Sequence, residues 1–284
     1  MEQATQKYHT HLKAKNGWFD INLKELWQYR DLIWLFTKRR FILVYKQTIL
    51  GPAWIVLQPL MTTLIYTLVF GNIANISTDG IPQILFYMGG TAVWTFFSTC
   101  LNQTSATFTG NSRIFGKVYF PRLVSPISTV LSSAINFLVH FAMFLIFWVY
   151  FVVTGAITPH YIYIILLPFI MLYLGLLSLG FGIIVSSLTT KYRDLAMLVT
   201  FGVQLWMYIT PVVYPISTLE GSVFYNLIML NPVTCVVETF RWMFLGVGDV
   251  NPIYWMISLI VMTVVVTLGV ILFSKVEKTF MDTV

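Results

Sequence analysis

The amino-acid sequence predicts an all-α integral membrane protein. The expected fold has six transmembrane helices, an N-terminal amphipathic interface helix, and an outer re-entrant helical hairpin between helices 5 and 6. Three observations predict this class: an apolar composition, long apolar runs, and positive charge collected in alternate connecting segments. Of the 284 residues, 57% are hydrophobic and 10% are charged, whereas a soluble domain carries about 25% charged residues.

Six apolar runs define the predicted spans. A helix that crosses hydrocarbon needs about 20 apolar residues, and each run reaches about that length. The runs cover 49–70, 84–108, 127–153, 161–188, 195–214 and 253–273. The sequence therefore predicts a cytoplasmic N-terminal segment over 1–48, a transmembrane domain over 49–273 and a cytoplasmic tail over 274–284.

The distribution of Lys and Arg predicts the orientation of these spans. If the N-terminal segment lies inside, the inner segments carry 16 of the 17 Lys and Arg residues, and only Arg241 lies outside. An excess of positive charge in cytoplasmic segments is the usual orientation signal of membrane proteins. The net charge of +6 is therefore interpreted as this signal, and no nucleic-acid partner is expected.

Asn22–Phe41 is predicted to form the amphipathic helix. Asn22 and Glu25 have the spacing of a capping box, and Lys38 begins a basic KRR run near the end of the segment. At 100° per residue, one side collects apolar side chains, namely Leu23, Leu26, Trp27, Ile33, Trp34 and Phe41. An ordinary surface helix would also explain the pattern, but two tryptophans beside basic residues favour the membrane interface.

Residues 223–245 form a further apolar stretch that is interrupted by Asn231 and Pro232. Proline removes a backbone donor and disfavours helix at the preceding residue, so two short helices are expected. Glu238 and Arg241 are three residues apart and are expected to form an ion pair that holds the hairpin. A seventh, kinked span is the alternative, but it would place Lys275 and Lys278 outside.

The spans lack the residues that ion-coupled carriers and enzymes use. They contain no Asp, Glu, Lys or Arg, and their titratable residue of note is His140. The stretch from Gly110 to Val118 departs from the phosphate-loop pattern both in glycine spacing and in the residue after Lys117. No paired-carboxylate, metal-ligand or nucleophile motif is present in the sequence. The sequence therefore argues against ion coupling, nucleotide binding and catalysis within this chain.

The inner loop Asn111–Ser125 combines three positive charges with large apolar residues. This composition is typical of a short helix that inserts into a partner protein. Packing beneath the interface helix explains it equally well, and both interpretations stay open. The candidate partner-binding residues are Arg113, Phe115, Tyr119, Phe120 and Arg122.

Gln58, Trp94 and Trp206 place hydrogen-bond donors near the middle of predicted spans. A buried indole N–H needs a partner or a wet cavity. The alternative is that both tryptophans pack between helices, with each indole N–H bonded to a backbone carbonyl.

Small residues three to four positions apart in the fourth run predict close helix packing, either within the chain or across a dimer. They are Gly175, Ser178, Gly182 and Ser186.

Several segments in order along the chain resemble the type-2 ABC transporter permeases of the polysaccharide-export group, which export O-antigen, capsule and teichoic acid. The segments are RDLIWLFTKRRFILVYKQTILGPAWIVLQPL at 30–60, VYFPRLVSPIS at 118–128, KYRDL at 191–195, TPVVYPIS at 210–217 and NPVTCVVETFRWMFLG at 231–246.

The resemblance implies a bacterial inner-membrane permease that forms a homodimer and binds two copies of a separate ATPase subunit. ATP and Mg²⁺ would be bound by that subunit, and this chain would hold no cofactor. The implied substrate is a lipid-linked polysaccharide of O-antigen or teichoic-acid type. Residues 111–121 would hold the coupling helix. Family channels are lined by aromatics that stack on sugars, and Trp94 and Trp206, together with Gln58, are the candidates for lining such a translocation path here. The alternatives are a type-2 permease for a smaller drug or lipid, and a multi-span enzyme that modifies lipid or glycan.

Overall fold

A computed structural model of the protein describes residues 23–46, 50–51, 53–192 and 194–283. These residues form helices and no strand. The α-helices are α1 (Leu23–Gln28), α2 (Arg30–Tyr45), α3 (Ala53–Tyr66), α4 (Gln83–Ser105), α5 (Thr107–Phe115), α6 (Val124–Val153), α7 (Leu167–Thr189), α8 (Leu195–Ile209), α9 (Val223–Met229), α10 (Pro232–Leu245) and α11 (Pro252–Thr283).

Five of the six predicted spans are helices long and apolar enough to cross a membrane. They are Ala53–Ile73, Gln83–Ser105, Val124–Val153, Tyr161–Thr189 and Pro252–Glu277. The first continues α3 through a π-helical stretch, and the fourth begins with a 3₁₀ turn.

The predicted span over 195–214 forms a shorter helix than expected. α8 has 15 residues and is therefore about 22 Å long at 1.5 Å per residue. Thr210 leaves the helix with φ −84° and ψ 135°, because the residue before a proline is driven out of helical backbone. Pro211 therefore ends α8 before it reaches the length of its neighbours.

The expected interface helix is divided into α1 and α2 at Tyr29. Asn22, its expected cap, lies outside the described residues. Leu26, Ile33 and Phe36 pack toward the bundle, whereas Trp27 and Trp34 are 70% and 61% exposed. The apolar side chains that were expected on one surface therefore lie on two. One set packs against the bundle, and the two tryptophans stay exposed. Its location at the membrane interface stays a prediction.

The helix break expected at Asn231 and Pro232 is present. α9 and α10 meet there at 92°, and the Asn231 side chain accepts a hydrogen bond from the Val233 N–H at 3.1 Å. Pro232 is the first residue of α10, where its missing N–H leaves no helix hydrogen bond unmade. The proposal that α9 and α10 enter and leave the bilayer on the same side stays a prediction.

α4 lies at the centre of the bundle. Of the 18 consecutive residues that form the most apolar part of α4, 78% are buried inside the chain. In the most apolar 18 residues of each of the other four spans, between 11% and 33% are buried. α4 packs mainly on α6, α7 and α10. The other spans therefore leave much of their apolar surface for lipid or another subunit.

The small residues of α7 allow close packing within the chain. A Cβ added to Gly182 would lie 2.5 Å from Thr104 Cβ, and the Ser186 hydroxyl accepts a hydrogen bond from the Phe108 N–H at 3.1 Å. Gly175 faces Val130 of α6. The contacts at Gly182 and Ser186 hold α7 against the α4–α5 junction.

Replacing Gly182 by alanine should therefore destabilise the protein. Overpacking a helix contact typically costs about 1–3 kcal/mol, so thermal denaturation of purified Gly182→Ala should occur at a lower temperature. Gly202→Ala is the matched control, because open space surrounds a Cβ at that position of α8. Equal melting temperatures for the two variants would contradict the packing described here.

Candidate functional site

A second apolar core joins the interface helices to one end of the bundle. This end cluster consists of the buried residues Phe108, Phe115, Phe120, Val124, Ile183 and Phe273. The Phe120 ring lies 5.7 Å from the ring of Phe36 on α2 in an edge-to-face arrangement. Phe108 stacks on Phe273 of α11 at 4.5 Å. The cluster therefore connects α2, α5, α7 and α11.

Polar contacts reinforce the end cluster. Arg40 and Asn111 both donate to the Ser125 hydroxyl oxygen, at 3.2 and 3.0 Å, so α2, α5 and α6 meet at one side chain. The Arg122 guanidinium donates to the Glu277 carbonyl oxygen at 2.7 Å. Partial burial lowers the pKa of Arg122, and the Glu277 carboxylate opposes that shift. Arginine stays charged at neutral pH, so this contact remains charge-assisted.

The predicted partner-binding residues occupy two different environments. Phe115 and Phe120 are 6% and 5% exposed, and their rings pack on each other in the end cluster. This packing agrees with the alternative that the loop packs beneath the interface helix, and direct contact of the two rings with a partner stays a prediction. Tyr119 is 65% exposed, and Arg122 contacts α11. The Arg113 side chain lies outside the described residues.

The surface that remains open is the turn over residues 116–119, here called the loop tip. All four of its residues are exposed, and Val118 is 59% exposed. The residues on either side are fixed by the end cluster. The loop tip is therefore a short exposed segment held on a rigid base.

The expected ion pair of the hairpin is present and fully buried. Arg241 Nη1 lies 3.0 Å from Glu238 Oε1, and the side chains are 1% and 2% exposed. Arg241 Nη2 also donates to the Val212 carbonyl oxygen at 2.8 Å, and the guanidinium lies 3.8 Å from the centre of the Phe86 ring. The other Glu238 oxygen accepts from the Asp249 N–H at 3.3 Å. The pair thus fixes α10 to α4, to the segment after α8 and to the turn before α11.

Two of the three predicted path residues, Trp94 and Trp206, pack against the same ring, Phe97, whereas Gln58 lines a separate cavity. Trp94 is 6% exposed and packs against Phe97 in the main core. The Trp206 indole N–H donates to the Asn231 side-chain oxygen at 3.1 Å. Trp206 thus agrees with the alternative in which it packs between helices, except that its indole N–H bonds to a side-chain oxygen and not to a backbone carbonyl. Gln58 is exposed and lines a cavity. A channel-lining role for the three stays a prediction.

The cavity beside Gln58 is a polar groove between α3, α4 and α6. Its volume is about 220 Å³. Nine of its lining residues are polar, namely Gln58, Thr62, Thr91, Thr95, Thr99, Gln103, Ser133, Asn136 and His140. Its apolar lining comes from Pro59, Met88, Ala92, Phe96, Phe137 and Met143. We refer to this set as the polar groove.

Much of the hydrogen-bonding capacity of the polar groove is unused within the chain. Thr62 and Thr91 donate to carbonyls of their own helices. The side chains of Thr95, Thr99 and His140, which also line the groove, make no hydrogen bond within the described part of the chain. None of the lining residues is Asp, Glu, Lys or Arg, so the groove is polar but carries no fixed charge.

The sequence contains a signal for this groove in its polar uncharged residues, which the predicted aromatic and charged sites did not include. Thr91, Thr95, Thr99 and Gln103 recur every four residues along the second span. Residues at that spacing share one face of a helix. Ser133, Asn136 and His140 form a second stripe on α6. The stripes predict a polar face on each helix, but only the fold brings the two faces together.

No group of three or more His, Cys, Asp or Glu side chains that could hold a metal ion is found in the described part of the chain.

Residues 31–245 match the family described as "ABC-2 type transporter". This match covers more than half of the chain, and it includes the interface helix α2, the end-cluster loop and the hairpin. The chain belongs to the ABC-2 type transporter family. The sequence resemblance to type-2 permeases is thereby confirmed.

Curated relatives of this ABC-2 chain are described as "O-antigen export system permease protein RfbA". One from Klebsiella pneumoniae is 28% identical over 256 residues, which are 89% of this chain and 94% of the relative. A second from the same organism is 27% identical over 254 residues, with the same coverage of both chains. One from Myxococcus xanthus is 26% identical over 223 residues, or 78% of this chain and 83% of the relative.

The buried ion pair gives a test of the hairpin. Removing one partner of a buried pair typically costs about 3–5 kcal/mol, because the other charge stays buried without compensation. We expect Arg241→Met to melt at a much lower temperature than the unmodified protein. Glu238→Gln combined with Arg241→Met should recover part of that loss. If thermal denaturation shows no penalty for Arg241→Met, the pair does not hold the hairpin.

Proposed function

We propose that this chain is the membrane subunit of an ATP-driven exporter that moves a lipid-linked polysaccharide, of O-antigen or teichoic-acid type, across the bacterial inner membrane. The observation that carries the proposal is similarity to O-antigen export permeases across 89% of the chain. The similarity extends over the spans and the loops between them, so it is not limited to one motif.

The energy for transport would come from a separate ATPase subunit that binds ATP and Mg²⁺. The five spans described above carry no Asp, Glu, Lys or Arg before Lys275, so they offer no fixed charge that could couple transport to ions. The family description, an ABC-2 type transporter, supports the same source of energy.

The ATPase subunit would bind at the loop tip. Val118 and Tyr119 are exposed there, and the end cluster holds the segment against α2, α7 and α11. A force applied to the loop tip would therefore reach several helices at once. This arrangement suits a subunit that passes conformational change into the bundle.

A second copy of this chain would complete the transport path. α8 is too short to cross a bilayer by itself, and its exposed face carries Thr200 and Gln204 among apolar residues. Polar side chains are costly in contact with hydrocarbon. A homodimer that covers α8 would remove them from lipid.

The positive-inside rule supports an inner-membrane location with both termini in the cytoplasm. In this orientation the loop tip and the end cluster lie on the side where ATP is available.

Separate substitutions should distinguish partner binding from folding at the inner loop. Replacing Val118 and Tyr119 by alanine should leave the melting temperature unchanged but reduce co-purification of the cognate ATPase, because an aromatic anchor contributes about 2 kcal/mol or more to an interface. Phe120→Ala is the matched control. It should lower the melting temperature, since deletion of a buried phenylalanine typically costs about 3–5 kcal/mol. Full ATPase recovery with the Val118 and Tyr119 variant would contradict this role.

The proposed export is tested by deleting the gene in its host. Synthesis of the glycan should continue while export stops, so surface glycan should be lost and lipid-linked glycan should accumulate on the inner side. Surface labelling and extraction of lipid-linked material measure the two pools, and a plasmid copy of the gene should restore both. Unchanged surface glycan after deletion would rule out this substrate and leave the smaller-substrate permease.

A further inference from the structure

We propose that the polar groove between α3, α4 and α6 is a binding site for a single neutral sugar residue at the head of a lipid-linked substrate. This inference rests on the proposed function and adds a location and a ligand chemistry to it. The groove is distinct from the predicted aromatic residues, because Trp94 and Trp206 pack in the main core.

The hydrogen-bonding groups of the groove match a hydroxyl-rich ligand. Thr95 and Thr99 each offer a donor and two acceptor positions, and Gln58 and Gln103 offer an amide at the more exposed positions. Gln58 and Thr95 accept hydrogen bonds through their backbone carbonyls, but the side chains of these four residues make no hydrogen bond within the described part of the chain. In a membrane, polar groups in this condition face water or a polar ligand.

Ser133 provides a separate observation that points into the groove. Its side chain is 2% exposed, it lines the cavity, and its hydroxyl oxygen has no hydrogen-bond partner in the described part of the chain. The one polar neighbour found for this hydroxyl in the described residues is the Cys100 thiol, which forms only weak hydrogen bonds and leaves the hydroxyl without an oxygen or nitrogen partner. A buried hydroxyl without a partner is unfavourable, and a ligand hydroxyl would satisfy it.

Because the groove lining carries no fixed charge, it favours neutral polar ligands over charged ones. A phosphate or pyrophosphate group would require Lys, Arg or a set of backbone N–H donors, and the lining contains neither Lys nor Arg. A neutral sugar ring needs only hydroxyl and amide partners. The apolar walls, which include Phe96 and Phe137, suit the C–H surfaces of such a ring.

The size and position of the groove suit one sugar rather than a chain. Its volume of about 220 Å³ is below the range of about 300–1,000 Å³ that is typical of sites for drug-sized ligands. Thr91 to Gln103 extend about 18 Å along α4 at 1.5 Å per residue. In the proposed orientation this is the half of the membrane that faces the cytoplasm, where a lipid-linked substrate would enter.

Cysteine modification tests the site directly. Thr95→Cys places a thiol in the groove, whereas Thr267→Cys places one on the exposed surface of α11 as the matched control. The native Cys100 and Cys235 are buried and serve as an unreactive background. The purified complex of this chain with its ATPase, in phosphatidylcholine nanodiscs, is treated with a charged methanethiosulfonate reagent that reacts only with hydrated thiols. We expect modification of Thr95→Cys and little modification of Thr267→Cys.

Occupancy is then measured by protection. Nanodiscs that also contain monoglucosyl diacylglycerol should slow modification of Thr95→Cys severalfold, whereas phosphatidylglycerol at the same fraction should not. Equal protection by both lipids would show a general lipid site and overturn the proposal. Modification without protection would show a water-filled cavity only, and absence of modification would show a dry one. Either result would also overturn it.

Valine variants connect the groove to transport. Thr95→Val combined with Thr99→Val keeps the side-chain volume but removes two hydroxyls, and each lost hydrogen bond should weaken binding by about fivefold. Surface glycan should fall severalfold at equal protein level, whereas Thr263→Val combined with Thr267→Val should not change it. If gene deletion abolishes surface glycan but the groove variant exports fully, the groove inference fails alone. If gene deletion leaves surface glycan unchanged, the proposed function fails, and cysteine protection still reports on the groove.

Discussion

The constraint on which this structure depends is that hydrocarbon supplies no hydrogen bonds. Every backbone group in a span must be satisfied by a helix, and every polar side chain must find a partner or a wet surface. The hairpin meets most of this constraint through contacts within the chain. Arg241 is held by Glu238 and the Val212 carbonyl, and Asn231 both caps α10 and accepts from Trp206. These contacts allow two short helices to break at a proline without leaving their polar groups exposed to lipid.

The polar groove meets the same constraint in a different way. Its threonines, glutamines and Ser133 are concentrated at one cavity, and the hydroxyl of Ser133 is left unsatisfied. A fold selected only for stability would replace such groups with apolar residues, which pack in lipid at no hydrogen-bonding cost. The hairpin also leaves two buried polar atoms, Arg241 Nε and Thr234 Oγ1, without a hydrogen-bond partner among the described residues, but neither residue lines the groove. The concentration of uncharged polar side chains around one cavity is why the groove is the stronger candidate for ligand contact.

The end cluster links these membrane features to the region proposed to bind the ATPase. Phe120 contacts α2, Phe108 contacts α11, and Ser125 receives hydrogen bonds from both α2 and α5. α5 follows directly after α4, the helix that supplies more of the groove lining than α3 or α6. A displacement of the loop tip would therefore be transmitted through packed aromatic rings toward the groove, without a flexible connection between them.

The sequence by itself determined the membrane class, five of the spans, the break at Asn231 and Pro232, the Glu238–Arg241 pair and the family. These features depend on the composition of short segments, on proline geometry and on local spacing. The tertiary structure decided which face of each helix packs against other helices and which stays exposed. It buried Phe115 and Phe120, left Trp27 and Trp34 outside, gave Trp206 a partner and brought the stripes of α4 and α6 together. Hydropathy could not predict these outcomes, because lipid tails are as apolar as a protein core. An apolar residue in a span therefore gives no signal of whether it faces lipid, a neighbouring helix or another subunit.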